Sequence, residues 1–205
     1  ASSRLIVTEG IYDKFVSSMR ERLSTLVVDH ALRAGTDIGP VVDERQLQKN
    51  LDYIQIGVEE GAKLVHGGER LSRDTPGFYM SPALFIDTSP NMRINREEIF
   101  GPIASVIPAK DYDEALAIAN DTDLGLSSGI ITTSLKHASH FKRNIQAGVA
   151  MVNAPTAGVD YHVAFGGTKS SSYGAREQGS YAKEFYTTVR TAYTQACLLY
   201  TSDAA

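Results

Sequence analysis

Apolar residues recur along the chain in two periods, and the switches between them outline its elements. SRLIVTEG, residues 3–10, is a short apolar run stopped by glycine and predicts a strand. Ile11, Phe15, Met19, Leu23 and Leu26 follow at three- and four-residue steps, which puts them on one face of a helix over 11–28. A loop punctuated by Gly and Pro, 34–43, leads to Asp43. Asp43 predicts a helix N-cap, with Gln46 three residues on in the spacing of a capping box. The helix behind it carries Leu47, Leu51, Ile54 and Val58 on one side and ends near Gly61. Residues 62–68 read as a short strand with a Gly-Gly turn. Residues 78–88 read as another, with Pro82 arguing for an edge or a bulge because it has no N–H to give a ladder.

The second half alternates in the same way. Residues 104–110 predict a strand, and 111–122 a helix whose first turn holds acids, as the helix dipole favours. A strand is expected over 125–134, a helix closed by Gly148 over 135–148, and a buried strand over 149–153. The loop 154–179 is too long to be idle in a compact domain. Residues 180–196 begin as a helix and turn β-branched and aromatic. Strands alternating with helices argue for a layered α/β domain, and no repeat or low-complexity segment interrupts them.

Composition narrows the classes. A chain of 205 residues with 42% hydrophobic and 21% charged residues can bury a sizeable core. Net charge is -4 with the basic residues scattered, which argues against nucleic acid as a partner. No apolar run reaches the roughly 18 residues of a membrane span. No signal-peptide pattern is visible, and the first residue is not Met. The one cysteine, Cys197, has no internal disulfide partner, which fits a reducing, cytoplasmic setting.

Several motifs offer chemistry. GLSSG, 125–129, matches the nucleophile elbow G-x-S-x-G around Ser127, but the elbow needs a helix after the Ser and here a strand is expected. His137 and His140 share a helix and His162 lies in the long loop, without the convergent spacing of a zinc site, so no metal is expected. GGTKS lacks the first Gly of a phosphate loop, and Thr168 separates its glycines from Lys169. INREEIFGP, 94–102, is more pointed: it sets Glu97 and Glu98 against Ile99 and Phe100, with Gly101-Pro102 behind them. Asn153 ends an apolar strand, and Phe165-Gly166-Gly167 follows within a dozen residues, where backbone can approach closely.

INREEIFGP resembles the E-x-F-G-P motif of the NAD(P)-dependent aldehyde dehydrogenase superfamily. VAMVNAPTAG…FGGTKSSSYGAREQG resembles the C-terminal active-site loop of the same family, and GTDIGPVVDERQ and LIVTEGIYDKFV also look like family segments. The match runs in order from Ala1 to about Ala196. Within the family, SSGIITTSLKHASHFKRNIQAG and NAPTAGVDYHVAFGG are most similar to the α-ketoglutarate semialdehyde (2,5-dioxopentanoate) dehydrogenases.

The resemblance implies a three-layer α/β catalytic domain, here its C-terminal part, over 1–184, without the N-terminal cofactor-binding domain. It implies an oligomerisation strand over 185–196, and it leaves 197–205, CLLYTSDAA, to be read as a non-native tail. Glu98 is expected to hydrogen-bond the nicotinamide ribose of NAD or NADP, and Phe100 to pack against the nicotinamide end. Asn153 and Phe165 are expected on the side of a small aldehyde substrate. The nucleophilic Cys and the general-base Glu of the family fall upstream of Ala1, so no catalytic residue is assigned in the chain. The implied chemistry is attack of that Cys on the aldehyde, loss of hydride, and hydrolysis of a thioester. A homo-oligomer is expected for the full-length enzyme. Ala164 stands where the family usually has Pro, and KSSS where K-x-S-G is common. An acyl-phosphate or acyl-CoA reductase of the same fold, an inactive interaction fragment, and a Ser127 hydrolase are the rival readings.

Overall fold

The computed structural model describes residues 2–195. Its centre is a four-stranded sheet in the order β1-β6-β5-β2, made of β1 (Arg4–Thr8), β6 (Ile103–Ala109), β5 (Ala83–Ile86) and β2 (Lys63–His66). β1, β6 and β5 run parallel, and β2 closes the edge antiparallel. The two-residue period of a strand sends successive side chains to opposite faces. Phe85 therefore joins Leu47, Met80, Ile94, Ile99 and Ile103 on one face, under α2 (Glu44–Glu59). Leu84 joins Val7 and Val106 on the other, under Tyr12, Phe15, Val16, Met19 and Leu23 of α1 (Tyr12–Ser24). A helix on each face of a mostly parallel sheet is the three-layer α/β arrangement expected. Phe85 and Leu84 are fully buried; a side chain of that size contributes about 1.5–3 kcal/mol when removed from water.

Around this sheet lie β3 (Arg70–Leu71) paired with β4 (Tyr79–Met80), the short α3 (Arg93–Arg96) and α4 (Tyr112–Asn120). β7 (Leu124–Gly125) pairs with β10 (Thr168–Lys169), and β8 (Ser127–Ile130) runs parallel to β9 (Val149–Val152), with α5 (Leu135–Asn144) between them in sequence. α6 (Ala182–Tyr186) follows the long loop. Among the described residues no helix is long and apolar enough to cross a membrane.

Several local expectations are corrected. α1 stops at Ser24 rather than at 28: the Thr25 hydroxyl donates back to Arg22 O (2.8 Å), and Val28 bridges to Ile38 in extended form. Asp43 does cap α2, its Oδ1 accepting from Gln46 N at 2.7 Å. Val58 does not face the core, being 48% exposed; Gly57 is the buried residue there, and a Cβ on it would lie 2.8 Å from the Phe85 ring. The small residue lets the helix close onto the sheet. Pro82 marks neither an edge nor a bulge. It separates β4 from β5, and β5 is an interior strand whose first residue, Ala83, donates to Pro102 O at 2.8 Å. The irregularity lies across the ladder, between Leu64 and His66 of β2.

The strand expected over 125–134 is divided, because β7 and β8 pair with different partners. α5 ends at Asn144, with Ile145 extended, so Gly148 is not its cap. Phe185 and Tyr186 finish α6, and among the described residues 187–195 hold no strand. Cys197 and the rest of the tail, 197–205, lie outside the described residues, as does Ala196.

Candidate functional site

The segment after α3 is held from beneath by α2. Lys49 Nζ donates to Glu98 O (2.8 Å), and Gln46 Nε2 donates to Ile99 O (3.0 Å) and Phe100 O (3.2 Å). Three successive carbonyls are thus caught by two side chains one turn apart. Ile99 is buried in the core. Phe100 sits at φ 62°, a left-handed conformation that costs a non-glycine residue about 1–3 kcal/mol and persists only where its surroundings impose it. The result is a ring that packs on almost nothing: Phe100 is 80% exposed.

The two acids of the motif have different environments. Glu97 receives two bonds from Arg93 (2.8 and 3.0 Å) and one from the Tyr53 hydroxyl. The Arg93 hydrogen bonds, then that of Tyr53, hold its carboxyl below the ordinary glutamate range. The Glu98 carboxylate makes no hydrogen bond among the described residues, and only its backbone is anchored. One acid therefore secures the segment and its neighbour is left available. A depressed folded-state pKa stabilises above the unfolded value, and that contribution is lost as pH falls through the folded value. A carboxyl NMR titration of Glu97 should accordingly give a midpoint below that of an ordinary glutamate, and Tyr53→Phe should raise it. An open cleft of about 570 Å3, whose walls include Arg45, Lys49, Tyr53 and Arg93, lies beside this segment.

Asn153, at the end of β9, has φ 53°. Its amide meets one residue at both ends: Oδ1 accepts from Thr132 N (2.8 Å) and Nδ2 donates to Thr132 O (2.9 Å). It clips the loop after β8 to the loop after β9. Phe165 is half-buried and exchanges backbone bonds with Glu177 (2.7 and 2.9 Å), while the Arg176 guanidinium donates to Gly167 O. No hydrogen bond joins Asn153 or Phe165 to the Glu98–Phe100 segment. The connection runs through the first residues of the chain. Ser2 Oγ meets Thr156 Oγ1 in the long loop (2.8 Å), and Ser3 O accepts from Ser105 N of β6 (2.9 Å). With Arg4 opposite Ser105, Ser3 and Ser2 run back toward Pro102 and Gly101.

A second junction ties the same three segments to the C-terminal end of α4. Arg4 donates to Ile118 O and Ala119 O (3.3 and 3.1 Å), Arg96 to Asp121, and Lys169 Nζ to Asn120 O and Thr122 O (2.6 and 2.8 Å). Cations are favoured at this end of a helix. The other motifs take structural places. Ser127 is the first residue of β8, opposite Val149, and not at a strand-to-helix turn. His137 stacks on Tyr112 (4.2 Å between ring centroids), and His140 Nδ1 pairs with the Tyr112 hydroxyl (2.8 Å). Among the described residues no three His, Cys, Asp or Glu side chains converge as a metal site would need. Sequence reasoning gave Gln46 only a capping-box place and did not single out Lys49; their polar spacing one turn apart on α2 was the available signal.

The model of the aldehyde dehydrogenase family matches residues 1–192. The chain belongs to the aldehyde dehydrogenase family. Among aldehyde dehydrogenases it is 45% identical over 199 residues to the alpha-ketoglutarate semialdehyde dehydrogenase of Haloferax volcanii, covering 94% of this chain and 40% of that one. It is 39% identical over 194 residues to the 2,5-dioxopentanoate dehydrogenase of Saccharolobus solfataricus, again covering 94% and 40%. The structure superposes on an NAD+ complex of an aldehyde dehydrogenase from Bacillus cereus with a TM-score of 0.86 at 32% identity, covering 92% of this chain and 38% of that one. The chain thus spans about 40% of the length of the curated aldehyde dehydrogenases it matches.

Proposed function

We propose that the chain is the C-terminal part of the catalytic domain of a nicotinamide-dependent aldehyde dehydrogenase acting on 2,5-dioxopentanoate. The observation that carries the reading is the anchoring of the Glu98–Phe100 backbone by Lys49 and Gln46, which leaves one carboxylate and one aromatic ring presented outward. That pair suits a ligand with a hydroxylated sugar and a flat base. The carboxylate accepts from two hydroxyls, and the ring face restrains the base in one pose. When bound, the dinucleotide supplies an acceptor for the hydride that leaves the aldehyde carbon. Net, aldehyde and water become carboxylate, with two electrons leaving as that hydride and two protons released. The names of the Haloferax and Saccharolobus relatives support the semialdehyde, and the Bacillus complex supports a nicotinamide dinucleotide as the acceptor.

In this reading Phe165 lines the aldehyde side, and Asn153 acts through Thr132 by fixing the loop that carries it. Glu98 and Phe100 serve the cofactor. The nucleophilic Cys and the general-base Glu come from the region that precedes Ala1 in the longer relatives. The exposed Tyr186, Val189 and Tyr193 belong to a segment that meets a second copy. The test joins the corresponding upstream part of the Haloferax enzyme, with its Cys, before Ala1. Oxidation of 2,5-dioxopentanoate coupled to cofactor reduction is expected from the joined protein and none from the chain alone. Turnover only with acyl-phosphate or acyl-CoA, in the reducing direction, would replace this reading with that of a reductase.

A further inference from the structure

We infer that Asn50, a fully buried amide on α2, is a positioning residue for Phe100 and hence for whatever ring Phe100 meets. Asn50 is 0% exposed, unusual for an amide in the middle of an amphipathic helix. Its Oδ1 accepts from Gln46 Nε2 at 2.7 Å, and the same Nε2 donates to Ile99 O and Phe100 O. A primary amide has two N–H groups, so these three acceptors share them, and the bond to Asn50 sets the direction of the Gln46 head. Without that acceptor Gln46 is free to rotate its amide away, or back to the α2 N-terminus as its capping-box spacing would favour.

The second contact is steric. A Cβ on Gly101 would lie 2.4–2.5 Å from the Asn50 Oδ1, Cγ and Nδ2 atoms, so the Gly101 backbone rests directly on the Asn50 amide. Asn50 has little room to yield, since its Nδ2 points at Met80 Sδ (3.4 Å), itself buried. One buried side chain therefore supports the turn from both sides of Phe100: through Gln46 onto the carbonyls of 99 and 100, and by contact onto 101. This is the over-determination that a φ of 62° at an aromatic residue requires. It explains why α2 carries Asn at a position whose neighbours in the same stripe, Leu47, Leu51 and Ile54, are apolar.

The inference that the ring so held faces a nicotinamide rests on the function proposed above, but the positioning itself is tested without activity. The chain contains no Trp, so Phe100→Trp creates a single fluorescent reporter at the site, and Leu135→Trp, at an equally exposed place on α5 (81%), creates a control. Asn50→Leu keeps the approximate shape and removes the acceptor. Adding it to the Phe100→Trp protein should lower the anisotropy at position 100, while the same change leaves the Leu135→Trp anisotropy unaltered. Asn50→Ser, which retains an acceptor oxygen, should recover part of the loss. Equal loss at both positions would mean general loosening and overturn the proposal, as would no change at position 100. If Asn50→Leu prevents folding, Gln46→Met in the same background reads the same relay from its other member. In the joined enzyme described above, Asn50→Leu should lower the hydride-transfer rate roughly tenfold, the equivalent of about one hydrogen bond, with the aldehyde KM unchanged. Lost anisotropy with unaltered kinetics would leave Asn50 as a positioning residue for Phe100 and remove the nicotinamide from the reading.

Discussion

Glu98→Gln, in an enzyme completed by the upstream part of a relative, is expected to slow hydride transfer ten- to a hundredfold with little loss of cofactor affinity. The side chain keeps its size and its anchored backbone, since Lys49 grips the Glu98 carbonyl and not the carboxylate. What changes is the acceptor. A carboxylate accepts from two hydroxyls at once, whereas an amide offers one oxygen and turns two donors toward the same place. A hydrogen bond to a charged group contributes about 1.5–3 kcal/mol, which corresponds to roughly ten- to a hundredfold in rate if it serves orientation. The contact is one of many along a dinucleotide, so affinity moves less than rate. Glu97→Gln is the internal control. Its carboxylate is engaged by Arg93 and Tyr53, and its loss should touch stability more than chemistry. Single-turnover measurements with both variants separate the two acids, and equal rates in Glu98→Gln and the parent would reduce the motif to a structural one.

The difference between these neighbouring glutamates could not be read from sequence, and the reason is general to this chain. What was legible was local. Period, cap and breaker residues located α2 with its Asp43 cap, the parallel strands β1 and β6, and α4 behind Asp111, whose Oδ1 accepts from Glu114 N at 2.9 Å. The E-x-F-G-P pattern singled out Glu98 and Phe100 as candidates, through the resemblance it carries. The errors fell where a residue with a sound local reading serves a distant partner. Gln46 has capping-box spacing, yet its amide bonds residues 53 and 54 positions away. Pro82 obeys the rule against strand interiors by sitting between two strands, and the rule then misplaces the strand that follows it. Val58 continues the apolar stripe of α2, while the sheet takes Gly57 because Phe85 needs the space. Asn153 marks a strand end, and its bonds to Thr132, in the loop after β8, could not be read from its place in the sequence.

Gly148 is the sharpest of these cases, and Gly148→Ala is expected to destabilise the long loop more than any other single methyl added at an exposed-looking glycine. Read locally, Gly148 closes a helix, a place where alanine costs little unless φ is positive. In the structure the helix has already ended at Asn144. A Cβ on Gly148 would lie 2.0 Å from Gly166 O and 2.7 Å from Gly167 Cα, both backbone atoms. Neither side can give way cheaply. Gly148 N donates to Gly125 O (2.9 Å), and the next residue begins β9, paired to β8. Opposite, Gly167 N donates to Ser172 Oγ (2.6 Å), and Gly167 O accepts from Arg176. The added methyl must part the β9 segment from the Phe165–Lys169 turn. Overpacking of this kind costs about 1–3 kcal/mol, occasionally more, and at this chain length each kcal/mol lowers Tm by roughly 2–4 °C. A fall of several degrees is therefore expected, together with faster hydrogen exchange at the Phe165 amide, which now bonds Glu177 O at 2.7 Å. Gly10→Ala, where nothing lies within 4 Å of the new Cβ, provides the comparison and should leave both readings unchanged. An unaltered Tm in Gly148→Ala with the Phe165 amide still protected would show that neither the loop nor the placement of Phe165 rests on Gly148.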